Sequence, residues 1–292
     1  MDYIQNLVCP KCKSSLEREN DSIRCKTCKM KYPMLDGIPI FCEQSDYEKW
    51  TQYHIDVFTP ILTVQNKKKP LETPPTCDQD NYLSLPLSEN DYYSKFVERC
   101  DRVLDLGSGE GVFSAPLSSK VKEIYCVDPS YIALKRVIKR NKHNIYPINC
   151  SGDNLPFPDN FFDYVLFIFV IEHIQDPQPI LSEIRRILKP NGHLIVSTDS
   201  RYYYRYSRIM IEMLKYRKYR ADDPTHINLM TPRELRDTLK RYFSDDFEEI
   251  HYFVSDTKVK CIPQIISEPF LSALMIHKCK PKQNEVLGEN GN

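Results

Sequence analysis

The sequence predicts an α/β protein whose doubly wound, mostly parallel sheet of seven strands follows a small N-terminal module. Three observations predict this fold. Val103–Gly111 has the pattern of a buried strand that runs into a glycine-rich turn. A second apolar strand, Glu123–Val127, is followed by the amphipathic stripe of a helix, Tyr131–Arg140. Two Cys-x-x-Cys pairs stand near the start of the chain.

The composition limits the class of protein. A chain of 292 residues has room for one large domain and a small one. Its 40 basic and 40 acidic residues balance, which argues against a globally basic nucleic-acid-binding protein. No apolar run reaches the length of a membrane span, and no cleavable N-terminal signal is recognisable, so the 11 cysteines indicate a reducing compartment. We therefore expect a cytoplasmic protein, with its oligomeric state left open.

Four N-terminal cysteines have the spacing of a metal site. Cys9 and Cys12 make the first pair, and Cys25 and Cys28 make the second. Each pair can place two thiolates on one tetrahedral ion, and two pairs fill all four positions, which favours structural zinc. A module this short has too small a core, so the metal would supply its folding energy. A disulfide pair and an iron–sulfur centre are the alternatives.

The segment 43–92 connects this module to the sheet. Tyr47–Phe58 reads as a helix that carries the apolar Trp50, and the prolines that follow make most of the remainder irregular. Asp91–Arg99 is predicted to form a short helix, capped by Ser88, that leads into the first strand of the sheet.

The glycine-rich turn is the clearest indication of a ligand site. Gly107, Gly109 and Gly111 stand at alternate positions, and glycine lets a backbone turn sharply and approach a ligand closely. Amide groups at the start of the following helix would then face a polar ligand. Taken alone, the motif also fits an ordinary strand-to-helix turn.

An acidic side chain ends the next strand. Asp128 stands roughly 20 residues beyond the glycines, where a nucleotide ribose would present its two hydroxyls to a carboxylate. The alternative is a helix cap, a role that Ser130 can fill.

With these residues in place, a longer match becomes visible. Asp101–Thr198 resembles the Rossmann-like S-adenosylmethionine-dependent methyltransferases that act mostly on small molecules. Five blocks follow the order of that family: VLDLGSGEG, CVDPS, NLPFPDNFFDYV, IEHI and EIRRILKPNGHLIVST. The resemblance implies a Rossmann-like fold, S-adenosylmethionine as cofactor, and cofactor contacts from Asp105, Gly107, Ser108, Gly109, Gly111, Asp128, Pro129, Ser151, Gly152, Asp153, Phe169 and Glu172. A nicotinamide dehydrogenase, the rival among Rossmann-type proteins, would carry Gly-x-Gly-x-x-Gly instead.

One position departs from the family pattern. The family usually carries an Asp four residues before the Leu of its LPF segment, where it holds the adenine amino group, and this chain has Ser151 there. Asp153 stands two residues nearer to that Leu. Two alternatives stay open: Asp153 contacts the adenine, or Ser151 and the backbone of Gly152 do so.

The N-terminal module has a resemblance of its own. Cys9–Cys28 together with KYPMLDGIPIF, Lys31–Phe41, is similar to the small zinc-ribbon activator protein of tRNA and protein methyltransferases. This resemblance covers about the first 42 residues. It implies a module that docks on a methyltransferase surface, here fused to it in one chain. A bacterial ribosomal-RNA guanine methyltransferase also has an N-terminal zinc module, and it is the weaker match.

Catalysis would ask little of the protein, because the sulfonium is already an activated methyl donor. If the acceptor is a hydroxyl, a general base helps, and the candidates are His173, just past the fourth strand, and His226, in the sequence THIN. The alternatives are an orienting residue at a helix start for His173 and an ordinary loop histidine for His226. Glu172 is a candidate to bond the cofactor or a neighbouring amide.

The segment Arg201–Ile227 follows the fifth strand, where this fold commonly builds a lid over the substrate. Six tyrosines there interleave with seven basic residues: Arg201, Arg205, Arg208, Lys215, Arg217, Lys218 and Arg220. One hypothesis is a surface for a phosphorylated glycan, a lipid head group or RNA. The other is an amphipathic helix whose Ile209, Met210, Met213 and Leu214 pack inward.

The sequence thus predicts four parts: a zinc ribbon over 1–42, a connecting segment over 43–92, a methyltransferase domain over 93–280 and a polar tail over 281–292. Its last two strands are predicted at Phe247–Val254 and Leu271–Cys279. The expected activity is methyl transfer from S-adenosylmethionine, with an oxygen of a small metabolite, a saccharide or a lipid-linked precursor as the favoured acceptor. The alternatives are an RNA methyltransferase that grips rRNA or tRNA with its ribbon and basic lid, and an inactive cofactor-binding interaction module.

Overall fold

The computed structural model of the chain describes residues 3–53, 93–201, 225–244, 248–255, 258–261 and 274–282. The N-terminal module (residues 3–42) begins with a 3₁₀ turn, Tyr3–Asn6. It continues as an antiparallel four-stranded sheet in the order β1-β2-β3-β4, formed by Leu16–Glu19, Ser22–Cys25, Lys31–Leu35 and Ile38–Pro39.

The connecting segment differs from its prediction in both helices. Helix α1 spans Gln44–Tyr53, so it begins three residues earlier than predicted. The predicted helix Asp91–Arg99 is a single 3₁₀ turn, Tyr93–Phe96. The Val97 amide donates to the Ser94 carbonyl at 3.1 Å in the i to i+3 pattern of a 3₁₀ turn. The segment 54–92 lies outside the described residues.

The main sheet confirms the α/β class. Eight described strands run in the order β11-β10-β12-β9-β8-β5-β6-β7. In chain order from β5 to β12 they are Cys100–Leu106, Val121–Asp128, Ile145–Asn149, Phe162–Ile168, Leu188–Asp199, Glu248–Ser255, Lys258–Cys261 and Leu274–Cys279. The five strands from β5 to β9 pair parallel with one another, whereas β12 pairs antiparallel with β9 and β10, and β10 pairs antiparallel with β11.

The described part of the sheet has one strand more than the seven predicted. The additional strand is β11, which pairs antiparallel with β10 from Ser255 opposite Lys258 to Tyr252 opposite Cys261. It extends the sheet at the edge away from the glycine turn. The two predicted C-terminal strands are β10 and β12, each within three residues of its predicted start.

Helices cover the connections between the parallel strands. They are α2 at Ser114–Leu117, α3 at Tyr131–Lys139, α4 at Gln178–Ile187 and α5 at Pro232–Leu239, with a 3₁₀ turn at Ile171–His173. Ser130 caps α3 by accepting from the Ala133 amide, as the sequence predicts. Thr231 and Glu234 form a reciprocal capping box at the start of α5. No helix among the described residues is long and apolar enough to cross a bilayer.

The strand order places a crevice beside β5. The chain proceeds from β5 outward to β6 and β7, then returns to form β8 and β9 on the other side. In a doubly wound sheet, a ligand binds at the carboxyl ends of the strands where the order reverses. The turns that follow β5, β6 and β8 therefore meet at the position predicted for the cofactor.

The N-terminal module is joined to the outer edge of the sheet. Ile40 forms a parallel bridge with Asn149 of β7, and the Phe41 amide donates to the Asn149 carbonyl at 2.7 Å. The ring of Tyr3 stacks on Tyr146 at a centroid distance of 4.8 Å. Buried side chains of the module and of β6 belong to one continuous apolar core. The N-terminal module therefore packs against the edge of the main sheet at β7 and shares its apolar core.

Two other predicted segments fall largely outside the described residues. Only Arg201 and residues 225–227 of the predicted basic lid are described. The predicted polar tail, 281–292, is described only at its first two residues. These two are held in place, because Pro281 bridges Phe243 and the Lys282 amide donates to the Tyr242 carbonyl at 3.0 Å.

Candidate functional site

The glycine turn (Gly107–Gly111) links β5 to the helical segment that follows. Gly107, Gly109 and Gly111 have φ of +74°, +51° and +71°, a region that side chains rarely adopt. A Cβ on Gly107 would lie 2.4 Å from Cγ2 of Val170, whereas a Cβ on Gly109 would meet no atom within 4 Å. Gly109 therefore borders open space, and its backbone can be approached by a ligand.

The turn is fixed to the end of the neighbouring strand. The amides of Gly107 and Ser108 both donate to the Val127 carbonyl, at 2.8 and 3.1 Å. Asp128, the next residue, accepts from the Gly109 amide at 2.8 Å and from the Ser130 amide at 2.7 Å. The structure thus brings together the glycine turn and the acidic strand end that the sequence predicts as cofactor contacts.

Asp128 retains capacity for a ligand after making these two bonds. A carboxylate has about four lone-pair sites, so two amide donors leave roughly two for a diol. Its side chain is 7% exposed, and this burial raises its pKa to about 6. The side chain of Asp128 does not cap α3, because Ser130 is the N-cap residue of that helix.

The second carboxyl of this region lies deeper. Asp105 of β5 is 1% exposed and accepts from Ser114 Oγ at 2.6 Å. Burial raises the pKa of Asp105 to about 7. Asp105 thus anchors the segment after the glycine turn to β5, and this observed contact is structural.

The loop after β7 starts next to Asp128. Asn149 Nδ2 donates to the carbonyls of Asp128 and Pro129, at 3.1 and 2.8 Å. Further along, the Ser151 hydroxyl donates to Asp153 Oδ1 at 2.6 Å. The two side chains proposed for the adenine are therefore in contact with each other, and both alternatives remain open.

The segment after β8 has a strained backbone. Phe169 has φ of +56°, which is uncommon for a bulky residue and concentrates at functional sites. Its amide donates to the Ser197 carbonyl of β9 at 2.9 Å. The strain re-aims the chain so that Val170 packs against Gly107 and the turn Ile171–His173 follows.

The two candidate histidines are neighbours in the fold. The rings of His173 and His226 meet edge to face with centroids 4.8 Å apart. Thr225 fixes this contact, because its Oγ1 lies 2.9 Å and its carbonyl oxygen 3.2 Å from His173 Nδ1. The Asn228 amide also donates to the Glu172 carbonyl at 2.9 Å. The sequence THIN thus folds onto the sequence IEHI.

Glu172 completes this group. Its side chain is 0% exposed, and its Oε2 accepts from Thr198 Oγ1 at 3.0 Å. Donor atoms of Glu172, His173 and His226 all lie within 4.8 Å of one another. Sequence reasoning missed Thr198 and Thr225, which hold this group; Thr225 directly precedes His226, and that adjacency was the only available signal.

The four predicted cysteines converge in the N-terminal module. The sulfurs of Cys9 and Cys28 are 3.6 Å apart and those of Cys12 and Cys25 are 3.4 Å apart. A disulfide requires about 2.05 Å, whereas a tetrahedral ion with Zn–S of ~2.3 Å holds its sulfurs about 3.8 Å apart. A bond from the Ser14 backbone lowers the pKa of Cys12 to about 6, which favours a thiolate at neutral pH. The donor set and spacing fit zinc.

Lys13, the residue directly after the first cysteine pair, reaches the loop between β7 and β8. Lys13 follows Cys12 with φ of +56°. Its Nζ donates to the Leu155 carbonyl at 3.2 Å and to Glu183 Oε2 at 3.1 Å, and the same Glu183 oxygen accepts from the Leu155 amide at 2.9 Å. No sequence pattern indicates this network, which joins the cysteine cluster to the loop predicted to contact adenine.

Two curated relatives that are similar to part of this chain are methyltransferases by name. A methyltransferase of uncharacterised role from Schizosaccharomyces pombe is 34% identical over 137 residues, which is 39% of this chain and 48% of that protein. The ubiquinone/menaquinone biosynthesis C-methyltransferase UbiE of Pectobacterium carotovorum is 35% identical over 108 residues, or 34% of this chain and 43% of that protein. The chain thus spans less than half the length of these relatives.

A solved structure and a family profile complete the comparison. The crystal structure of a SAM-dependent methyltransferase from Archaeoglobus fulgidus has a TM-score of 0.51 and 19% identity, covering 75% of this chain and 99% of that one, so it shares the fold. The profile of the family described as "Methyltransferase domain" matches residues 64–242, more than half of the sequence. The chain belongs to this methyltransferase-domain family.

Proposed function

We propose that this protein transfers a methyl group from S-adenosylmethionine to an oxygen of a small acceptor, such as a metabolite, a saccharide or a lipid-linked precursor. The observation that carries the proposal is the joined pair of glycine turn and Asp128, with open space at Gly109. When bound, S-adenosylmethionine supplies the activated methyl group on its sulfonium. The protein binds the cofactor and the acceptor, orients them toward each other and excludes water.

The proposed cofactor contacts follow from the positions described above. Asp128 accepts from the ribose hydroxyls, and the backbone of the glycine turn, open at Gly109, lies against the amino-acid portion of the cofactor. Ser151, Gly152 or Asp153 contacts the adenine, next to the end of β7. Pro129, Phe169 and Glu172 shape the walls, while Asp105 supports the floor through Ser114.

The acceptor is proposed to bind at the His pair (His173 and His226). Val170 packs on Gly107, so the turn that carries His173 lies beside the cofactor position. An imidazole can take a proton from a hydroxyl acceptor near neutral pH. The relatives include UbiE, a C-methyltransferase by name, so the oxygen acceptor is proposed from the histidine pair and not from these relatives.

We also propose a structural zinc site and a division of the chain into four parts. Residues 1–42 form a structural zinc ribbon held by Cys9, Cys12, Cys25 and Cys28, and residues 43–92, 93–280 and 281–292 are the connecting segment, the methyltransferase domain and the polar tail. The four-cysteine cluster supports the cytoplasm as the location, because cysteines in a reducing compartment stay thiols that can bind metal.

The acceptor class is tested by following labelled methyl groups. The zinc-loaded chain with methyl-labelled S-adenosylmethionine is given the low-molecular-weight extract, the lipid extract or the total RNA of cells that make it. We expect label in the small-molecule or lipid fraction, with a yield that changes little between 50 and 300 mM salt. Incorporation into RNA, with retention that falls steeply over that range because counterions are released, would instead support an RNA methyltransferase.

Cofactor affinity is expected to fall in acid because of Asp128. Burial raises the pKa of Asp128 to about 6, and only the ionised carboxylate accepts from both ribose hydroxyls. As the pH falls through 6, the carboxylate takes up a proton, so affinity should drop roughly tenfold between pH 7 and pH 5. Calorimetric titration at each pH measures this loss.

The matched control for the acid effect is Asp128→Asn, which keeps the size of the side chain and removes its titration. Asp105 has a pKa raised to about 7 by burial, so it titrates in a similar range. The variant should bind weakly with a much flatter pH profile. Parallel profiles for the wild type and Asp128→Asn would show that Asp128 is not responsible.

A further inference from the structure

The group formed by Glu172, His173 and His226 has the composition of a metal centre separate from the four cysteines. One carboxylate and two imidazoles bring their donor atoms within 4.8 Å of one another. Two histidines with one carboxylate bind divalent cations of the Mn²⁺ and Fe²⁺ type and leave positions open for substrate. We propose that these three side chains bind a divalent cation that holds the methyl acceptor.

The neighbouring residues orient the donors as a metal site requires. The Thr225 carbonyl lies 3.2 Å from His173 Nδ1 and can only accept, so it matches the tautomer that carries its proton on Nδ1 and uses Nε2 as the ligand atom. Thr198 donates to one carboxylate oxygen of Glu172. In metal sites, a ligand histidine commonly donates its other N–H to a carbonyl or carboxylate, and a ligand carboxylate commonly accepts a hydrogen bond.

Burial adds an electrostatic reason for a cation. Glu172 is 0% exposed, and an ionised carboxylate in such a place is costly unless a positive charge compensates it. A divalent cation held by Glu172 and the two histidines would supply such a charge.

The inference narrows the acceptor and rests on the proposed methyl transfer. Three protein donors leave up to three positions on a six-coordinate ion, which suit two neighbouring oxygens of one molecule, as in a catechol or a sugar diol. With both imidazoles bound to the cation, neither acts as the base; the cation would lower the pKa of a bound hydroxyl, whose proton passes to solvent. That oxygen forms the new bond to the methyl carbon, and the carbon–sulfur bond breaks with its electron pair returned to sulfur.

Binding of Mn²⁺ to the zinc-loaded full chain, followed by electron paramagnetic resonance, tests the site. Mn²⁺ prefers oxygen and imidazole donors, so it leaves the thiolate site to zinc. We expect one Mn²⁺ per chain and at least tenfold weaker binding in both His226→Ala and Glu172→Gln. His143→Ala removes an exposed histidine outside the group and should bind like the wild type.

The affinity for S-adenosylmethionine distinguishes loss of the cation site from a folding defect and tests the proposed function separately. His226→Ala should keep its affinity for S-adenosylmethionine, which shows that the fold is intact. Absence of Mn²⁺ binding in the wild type, or equal binding in His226→Ala, would overturn the cation site even if methyl transfer is found. A wild type that binds Mn²⁺ at this site and shows no affinity for S-adenosylmethionine would keep the site and reject the proposed function.

Discussion

Loss of zinc from the N-terminal module is expected to unfold that module and to lower the melting temperature of the whole chain. The change is Cys9→Ser together with Cys12→Ser, which removes two of four ligands. Structural zinc supplies ~10–16 kcal/mol in comparable peptides, far more than so small a core provides. Unfolding of the module should also destabilise the rest of the chain, because Ile4, Leu7 and Tyr125 belong to one apolar core.

Metal analysis and calorimetric melting measure this effect. The wild type should hold one tightly bound zinc per chain and the double variant none. Cys42→Ser, a cysteine of the same module outside the cluster, is the matched control and should keep its zinc. The double variant Cys9→Ser/Cys12→Ser should also bind S-adenosylmethionine less well than the wild type, because Lys13 no longer holds the Leu155 carbonyl. A purified wild type without zinc, or with iron–sulfur absorbance, would contradict the prediction.

Substitutions in the glycine turn and at Asp128 should remove most of the affinity for S-adenosylmethionine. Asp128→Ala deletes the acceptor for two ribose hydroxyls, and at ~1.5 kcal/mol or more for each bond to a charged group the loss is roughly 100-fold. Gly109→Val fills the open space with a branched side chain and strains a backbone at φ +51°. We expect its binding to be undetectable by calorimetry.

Gly37→Val separates backbone strain from obstruction of the site. Gly37 has φ of +81°, and a Cβ there would also meet no atom within 4 Å, but it lies in the N-terminal module. Both glycine variants should lose stability, and only Gly109→Val should lose the cofactor. Equal affinities for S-adenosylmethionine in Gly109→Val and the wild type would place the ligand elsewhere.

The parts of the site that the sequence revealed are those with a local signature. An apolar run followed by Gly107, Gly109 and Gly111 predicts a strand and a tight turn, since few other residues adopt positive φ. Asp128 at the end of the next strand follows from the same topology, because parallel strands end at one edge. The sequence also singled out His173 and His226, whose rings the fold places 4.8 Å apart.

The parts that escaped prediction depend on contacts between distant segments. Ile40 pairs with Asn149, and Lys13 reaches Leu155 and Glu183, across separations that no periodicity reports. Strand β11 is short and lies at the edge of the sheet, so its pattern is too brief to distinguish from a loop. The double acceptance by Asp128 from the Gly109 and Ser130 amides likewise depends on the assembled fold.

Titration calorimetry of the zinc-loaded full chain with S-adenosylmethionine tests the central claim most directly, with NADH as the competing ligand. The glycine turn and the carboxylate of Asp128 predict saturable binding of one S-adenosylmethionine per chain and no measurable binding of NADH. Tight binding of NADH without any binding of S-adenosylmethionine would contradict the account.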